Sequence, residues 1–278
     1  MKQRLLYFFT LTALLTVFAC KKEEVVLNGN VQQSSRISDA AVEQYIFRSY
    51  VDLLGEAPSE IDLANWSSQL RAGDLGQTAR IELIQTLQTG NDQERYVLNL
   101  YAAAKERFLE NLDDAEMQRR FVGQGDADDD MRLQELLSWQ ADYKSGSANI
   151  LDLQRRAIHN LVYDEINMGS FNMVRASFDN LLWRYPTDSE FDAGYAMIEN
   201  RTEQQLFGFS GSDKNTYVQI VSDSQEALQG TVIWQYDQLL ARRPTASETL
   251  SHLEDLRATG NVEVLQQTVM QTDEYAGF

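Results

Sequence analysis

Apolar side chains recur along this chain at the spacing of one helical face. Val42, Tyr45, Ile46, Tyr50, Leu53 and Leu54 form one stripe. Phe171, Val174, Phe178, Leu181 and Leu182 form a second, and Ile233, Tyr236, Leu239 and Leu240 a third. Each stripe ends in Leu-Leu, and the same punctuation follows. Three residues lead to Pro58, Pro186 or Pro244, then to Ser59, Thr187 or Thr245, and three further on to Asp62, Glu190 or Glu248. These are the parts of a helix boundary. A proline cannot prolong the preceding helix, a hydroxyl caps the free N–H groups of the next, and an acid in its first turn meets the positive end of the helix dipole. An aromatic (Tyr50, Phe178 or Tyr236) stands nine residues before each cap.

A degraded copy lies between the first two. Phe108 and Leu112 precede a proline-free box in which Asp113 caps and Glu116 is the acid. Downstream, Trp139 leads by seven residues to Gly146, as Trp66 leads to Gly73, and each glycine suits a helix C-terminus. The last copy ends in a related way at Gly260. The caps Ser59, Asp113, Thr187 and Thr245 are 54, 74 and 58 residues apart, with an insertion around 123–130 in the long interval. Nearly sixty residues hold about three helices of ordinary length. The expected fold is all-α, an array of about four three-helix units, either solenoid-like or compact. The expected limits are 39–100, 101–168, 169–228 and 229–278.

The segment "YVDLLGEAPSEIDLANWSSQLRAGDL…QTLQTGNDQERY" resembles the bacterial helical repeat family related to phycobilisome linker domains. The likeness is good over 45–96 and partial over 171–196 and 232–278. It implies scaffolding or association with surface proteins, and brings no catalytic residues with it.

The N-terminus follows different rules. Met1-Lys2-Gln3-Arg4 is basic, and 5–19 carry no charge. Fifteen residues make a helix of about 22 Å, too short for a bilayer core of about 30 Å, so 1–19 are expected to be a signal peptide. Ala19-Cys20 then resembles a lipobox, with Cys20, the only cysteine, as the lipidated residue. Lys21-Lys22-Glu23-Glu24 resembles the signal that sends Bacteroidota lipoproteins to the outer face of the outer membrane. Residues 20–38 are expected to be a flexible tether.

Charge narrows the partners. Lys and Arg number 24 against 42 Asp and Glu, a formal net charge of −18 that becomes −20 once Lys2 and Arg4 leave with the signal peptide. Nucleic acid is excluded, because phosphate binding needs a basic face. Attachment to the outer membrane must come from acyl chains rather than from a basic patch.

Candidate chemistry is sparse. Asp126, Asp128 and Asp130 stand at positions 1, 3 and 5 of a calcium loop, but Met131 and Leu137 occupy the glycine and glutamate positions. The same aspartates suit a helix N-terminus. Gly208-Phe209-Ser210-Gly211-Ser212 falls one residue short of a nucleophile elbow, and the expectation there is a loop between helices. Phe207, Phe209 and Tyr217 at its ends either pack inward or, if exposed, form a partner contact. The chain's two histidines, His159 and His252, are not spaced as a metal pair. Trp66, Trp139, Trp183 and Trp234 could stack on sugars, although the matched positions of the first two favour core packing. No cofactor is implied. The expected function is that of a non-catalytic outer-membrane lipoprotein, a scaffold or accessory subunit for an envelope protein partner. The alternative is a glycan-binding or glycan-processing lipoprotein for nutrient uptake. Replacing Cys20 with Ser should release the protein from membranes in a fractionation experiment; continued membrane association would refute lipidation at that residue.

Overall fold

The computed structural model describes residues 36–278, so the signal peptide, Cys20 and most of the tether lie outside the described residues. Fifteen α-helices run in order through them, with one short hairpin. The first four are α1 (Asp39–Leu54), α2 (Glu60–Ala72), α3 (Gln77–Gln88) and α4 (Gln93–Phe108). Then come α5 (Asp114–Phe121), α6 (Ala127–Ser145), α7 (Ile150–Ile158), α8 (Leu161–Asn167) and α9 (Ser170–Ser177). A π-helical turn, Phe178–Leu182, extends α9 and leads to α10 (Asp188–Ile198). Strands β1 (Gln204–Leu206) and β2 (Phe209–Gly211) pair antiparallel, and α11 (Lys214–Ser222) follows. The series ends with α12 (Gln225–Leu240), α13 (Ala246–Thr259), α14 (Val262–Met270) and α15 (Asp273–Ala276).

The helix boundaries form as the sequence predicts. Ser59 accepts from the Asp62 N–H, Asp113 from Glu116, Thr187 from Glu190 and Thr245 from Glu248. Glu190 and Glu248 reach back to the N–H groups of Thr187 and Thr245 at 2.8 and 2.6 Å, completing two capping boxes. Four residues before the three proline-linked caps stand Gly55, Trp183 and Ala241, with φ of 73°, 56° and 51°. Each turns the chain out of its helix through the left-handed region, and Trp183 and Ala241 do so without glycine's freedom.

The next residue in each boundary carries a charge, and that charge ties the turn to a later helix. Arg184 makes two bonds to Glu190, at 2.8 and 2.6 Å, and one of 2.6 Å to Glu226 in the first turn of α12. Arg242 repeats this with Glu248, at 3.0 and 2.7 Å, and with Glu274 in the first turn of α15. At the first boundary the signs are exchanged, with Glu56 pairing to Arg95 in the first turn of α4. Paired, forked bonds of this kind fix geometry better than a point charge can.

The two ends of the described chain meet. Tyr275 of α15 lies edge-on to Tyr45 of α1, with ring centroids 5.9 Å apart, and its hydroxyl donates to Asp52 at 2.8 Å. Arg80 of α3 is only 3% exposed; it donates to the carbonyls of Leu75 and Gln271 and to Asp273. The arrangement is therefore closed, with α3 packed on α14, and is not an open solenoid. The described residues, 36–278, form one compact unit.

Several expectations need correction. The unit limits at 100 and 228 fall inside α4 and α12, and 101–168 holds α5 to α8 besides the end of α4. Ser38 is not tether: its hydroxyl caps α1, accepting from Ala41 N–H. Gly73 does end α2, at φ −87°, and the left-handed conformation falls on Asp74 and Leu75 after it. The expected loop at 208–212 is largely the second half of a hairpin, in which 204–206 pair with 209–211 around Phe207 and Gly208 at φ 52° and 84°.

Two predictions follow from this packing. A Cβ on Gly230 of α12 would overlap the Leu181 carbonyl of the π-helical turn, so Gly230→Ala should cost at least ~1–3 kcal/mol in a denaturant titration. A stability equal to wild type would show that α12 does not cross the turn so closely. The second concerns acid. Hydrogen bonds from Arg184 and Arg242 hold the Glu190 and Glu248 carboxyls down at about 2, from an ordinary 4.5. Lowered values stabilise the fold above 4.5, and that stability is lost as pH falls toward 2. The thermal midpoint should drop across that window, and the Glu190→Gln/Glu248→Gln double variant should drop less. Equal drops would mean the two bridges contribute nothing.

Candidate partner-binding groove

The residues singled out in the sequence do not converge on one site. Tyr217 is fully buried, with its hydroxyl 2.7 Å from Ser177, and Phe207 is half-buried 5.8 Å from the Phe178 ring. Only Phe209 is exposed, so the expected aromatic contact of Phe207, Phe209 and Tyr217 does not form. Two of those rings are drawn into the core because α11 packs on α10 and on β2.

Of the two roles open to the 126–130 aspartates, the structure shows the helix start. Asp126 caps α6, accepting from the N–H groups of Asp128 and Asp129, while Asp129 returns a bond to the Asp126 N–H. Asp130 accepts from Gly123 N–H at 2.7 Å. Once Asp128 and Asp130 are helical they sit about 200° apart around the axis, and a single ion cannot collect both. Among the described residues, no three His, Cys, Asp or Glu are grouped as metal ligands.

Ser210 pairs with Gln205 within the hairpin, so the elbow geometry is absent there. His159 bonds Asn215 and His252 bonds Tyr236, and burial lowers the pKa of both imidazoles. Trp66, Trp139 and Trp234 are buried. Trp183 is half-buried under the Arg107 guanidinium, 3.9 Å from its ring. Desolvation lowers the Arg107 pKa to about 10.

The exposed aromatic surface lies elsewhere, on α9, α10 and the boundary joining them. Phe171, expected on the buried stripe, stands in the first turn of α9 and is 47% exposed. It meets Phe191 of α10 edge-on, with centroids 4.8 Å apart, and Phe191 stacks on Tyr195 at 6.0 Å. Arg175, one helical turn beyond Phe171, lays its guanidinium 4.4 Å from the Phe171 ring and 5.5 Å from Phe191. Tyr185, 73% exposed, and Pro186 form the opposite side, and Asp188 opens α10. Arg175, Tyr185, Pro186, Asp188 and Phe191 line a groove of about 360 Å³, and Phe171 packs against the Arg175 and Phe191 side chains that border it.

The chemistry is that of a contact surface. Tyr, Phe and Arg give large contact area at low cost in side-chain freedom, and stacking already fixes Arg175 before any partner arrives. Asp188 and Arg175 supply one charge of each sign at the edge. The signal available in the sequence was Tyr185 itself, an aromatic directly before Pro186 in a turn that cannot be helical. Comparison with protein-family models, with curated proteins and with solved structures finds no match to this chain.

Proposed function

We propose that this chain is a lipid-anchored, non-catalytic lipoprotein on the outer face of the outer membrane. It acts as a scaffold or accessory subunit of an envelope protein complex. The observation that carries this proposal is the groove of Arg175, Tyr185 and Phe191 with the exposed Phe171 beside it, an aromatic surface with a pre-ordered cation. The strongly acidic remainder of the chain favours a partner with a basic rim, since charge complementarity steers encounter and excludes wrong partners. We further propose that the fold is built from four related helical units. The repeated caps, the left-handed residue four positions earlier and the boundary charge tied to a later helix support that derivation. The resemblance to the linker-related repeat family is in keeping with a scaffold.

The glycan-binding alternative loses the support it drew from tryptophan, because Trp66, Trp139 and Trp234 are buried. Cross-linking with mass spectrometry in the native envelope, after gentle detergent extraction, tests the scaffold role. The wild-type protein should cross-link to one dominant partner through peptides that include residues 171–191. A Phe171→Ala/Tyr185→Ala variant, still folded and membrane-bound, should lose that product. Recovery of the wild type only as a free monomer, or full retention of the partner by the variant, would overturn it.

A further inference from the structure

Five glutamines run head to tail from the exposed Gln85 into the interior. Gln85 Nε2 donates to Gln267 Oε1 at 3.2 Å, and Gln267 Nε2 donates to Gln88 Oε1 at 2.7 Å. Gln88 Nε2 then donates to Gln266 Oε1 at 3.0 Å, and Gln266 Nε2 to Gln235 Oε1 at 2.9 Å. One backbone group fixes the direction of the series. The carbonyl of Glu263 can only accept, and it takes a bond from Gln88 Nε2 at 3.3 Å, so the Gln88 amide cannot be reversed. Every amide after it is then oriented in turn. Tyr96 adds a donor to Gln266 Oε1 at 2.8 Å, which leaves that oxygen no reason to turn away.

The series ends at Gln235 Nε2, which has no acceptor among the described residues. Gln235 is 2% exposed and borders a cleft of about 390 Å³ between α1, α4 and α12. A chain of aligned amides polarises its members, so the terminal N–H group is a stronger donor than an isolated amide.

The rest of the lining says what the acceptor belongs to. Asp52, Glu106, Asn99, Asn111 and Gln238 also border the cleft, with no Lys, Arg or His and no aromatic ring. Anions find no counter-charge there, and a flat aromatic ligand finds nothing to stack on. A free cation is not favoured either. Asp52 is already engaged by the Tyr275 hydroxyl and, at 3.5 Å, by Arg48. What remains is a set of amide donors and acceptors beside carboxylate acceptors, suited to groups that donate and accept together. Hydroxyl groups do both. We propose that this cleft binds a small neutral polyhydroxylated molecule, one or two sugar rings in size, with Gln235 as its fixed hydrogen-bond donor. The volume lies within the range of small-molecule sites. This site is distinct from the aromatic groove and does not rest on the scaffold role.

Saturation-transfer NMR on the mature chain tests it, using glucose, galactose, mannose, xylose, maltose and cellobiose as neutral probes, with glucuronate and spermidine as charged ones. At least one neutral sugar should bind, and both charged probes should bind more weakly. Gln235→Met removes the donor at similar size and should weaken that sugar about tenfold. Gln238→Ala, at the exposed rim, should weaken it several-fold without moving the thermal midpoint, which separates binding from folding. The Phe171→Ala/Tyr185→Ala variant should bind the sugar as wild type does, so failure of the scaffold role and failure of this site are distinguishable. Absence of binding by every neutral sugar, stronger binding of spermidine or glucuronate, or sugar binding unchanged in both cleft variants would overturn the proposal.

Discussion

The fold depends on a polar closure. The two ends of the described chain meet through Arg80, Gln88, Gln266 and Tyr275, groups that must be hydrogen-bonded once they leave water. Apolar surfaces slide past one another at little cost, whereas a guanidinium that must find the carbonyls of Leu75 and Gln271 fits in one register only. The stabilisation such groups supply is modest, because each bond replaces one to water. What they contribute is position. With α3 set against α14, α1 and α12 are held at the spacing that leaves a cleft between them.

The same economy governs the boundaries. A helix that stops must satisfy its last carbonyls and the first N–H groups of its successor. At Arg184 and Arg242 one charged residue after the left-handed turn both locks the cap below it and reaches a later helix, and at Glu56 it makes the second link alone. Exchange of sign between the Glu56–Arg95 pair and the Arg184–Glu226 and Arg242–Glu274 pairs keeps the link while changing the residues. A bridge between opposite charges depends on their difference and not on which partner holds which sign. This leaves the surrounding surface free to vary.

How much of this was legible follows from the range of each interaction. The caps at Ser59, Asp113, Thr187 and Thr245 depend on residues three apart, so spacing alone revealed them. Burial of Tyr45, Leu53 and Trp139 followed from helical period and matched position. The closure was hidden because its partners are nearly two hundred residues apart and a glutamine carries no mark of whom it will bond. The hairpin was missed because three-residue strands give no alternation to detect, and the turn residues Phe207-Gly208 resemble loop. Phe171 was misplaced because it shares the spacing of the buried stripe, yet it lies in the first turn of α9, beyond the neighbours that bury Val174 and Phe178. The aspartates at 126–130 offered both a metal loop and a helix start, and backbone demand for caps decided between them.

The lodging of Tyr275 against Tyr45 and Asp52 has a temporal side. Chains are made from one end to the other, and the face of α1 that receives Tyr275 precedes it by more than two hundred residues. Until that ring arrives, α1 can pack on α2, α3 and α4, but it keeps one aromatic side uncovered, and Asp52 has Arg48 alone as its partner. Closure of the helical ring thus waits for the last residues of the chain, and a truncation of only a few residues at that end would reopen a contact made by the first helix.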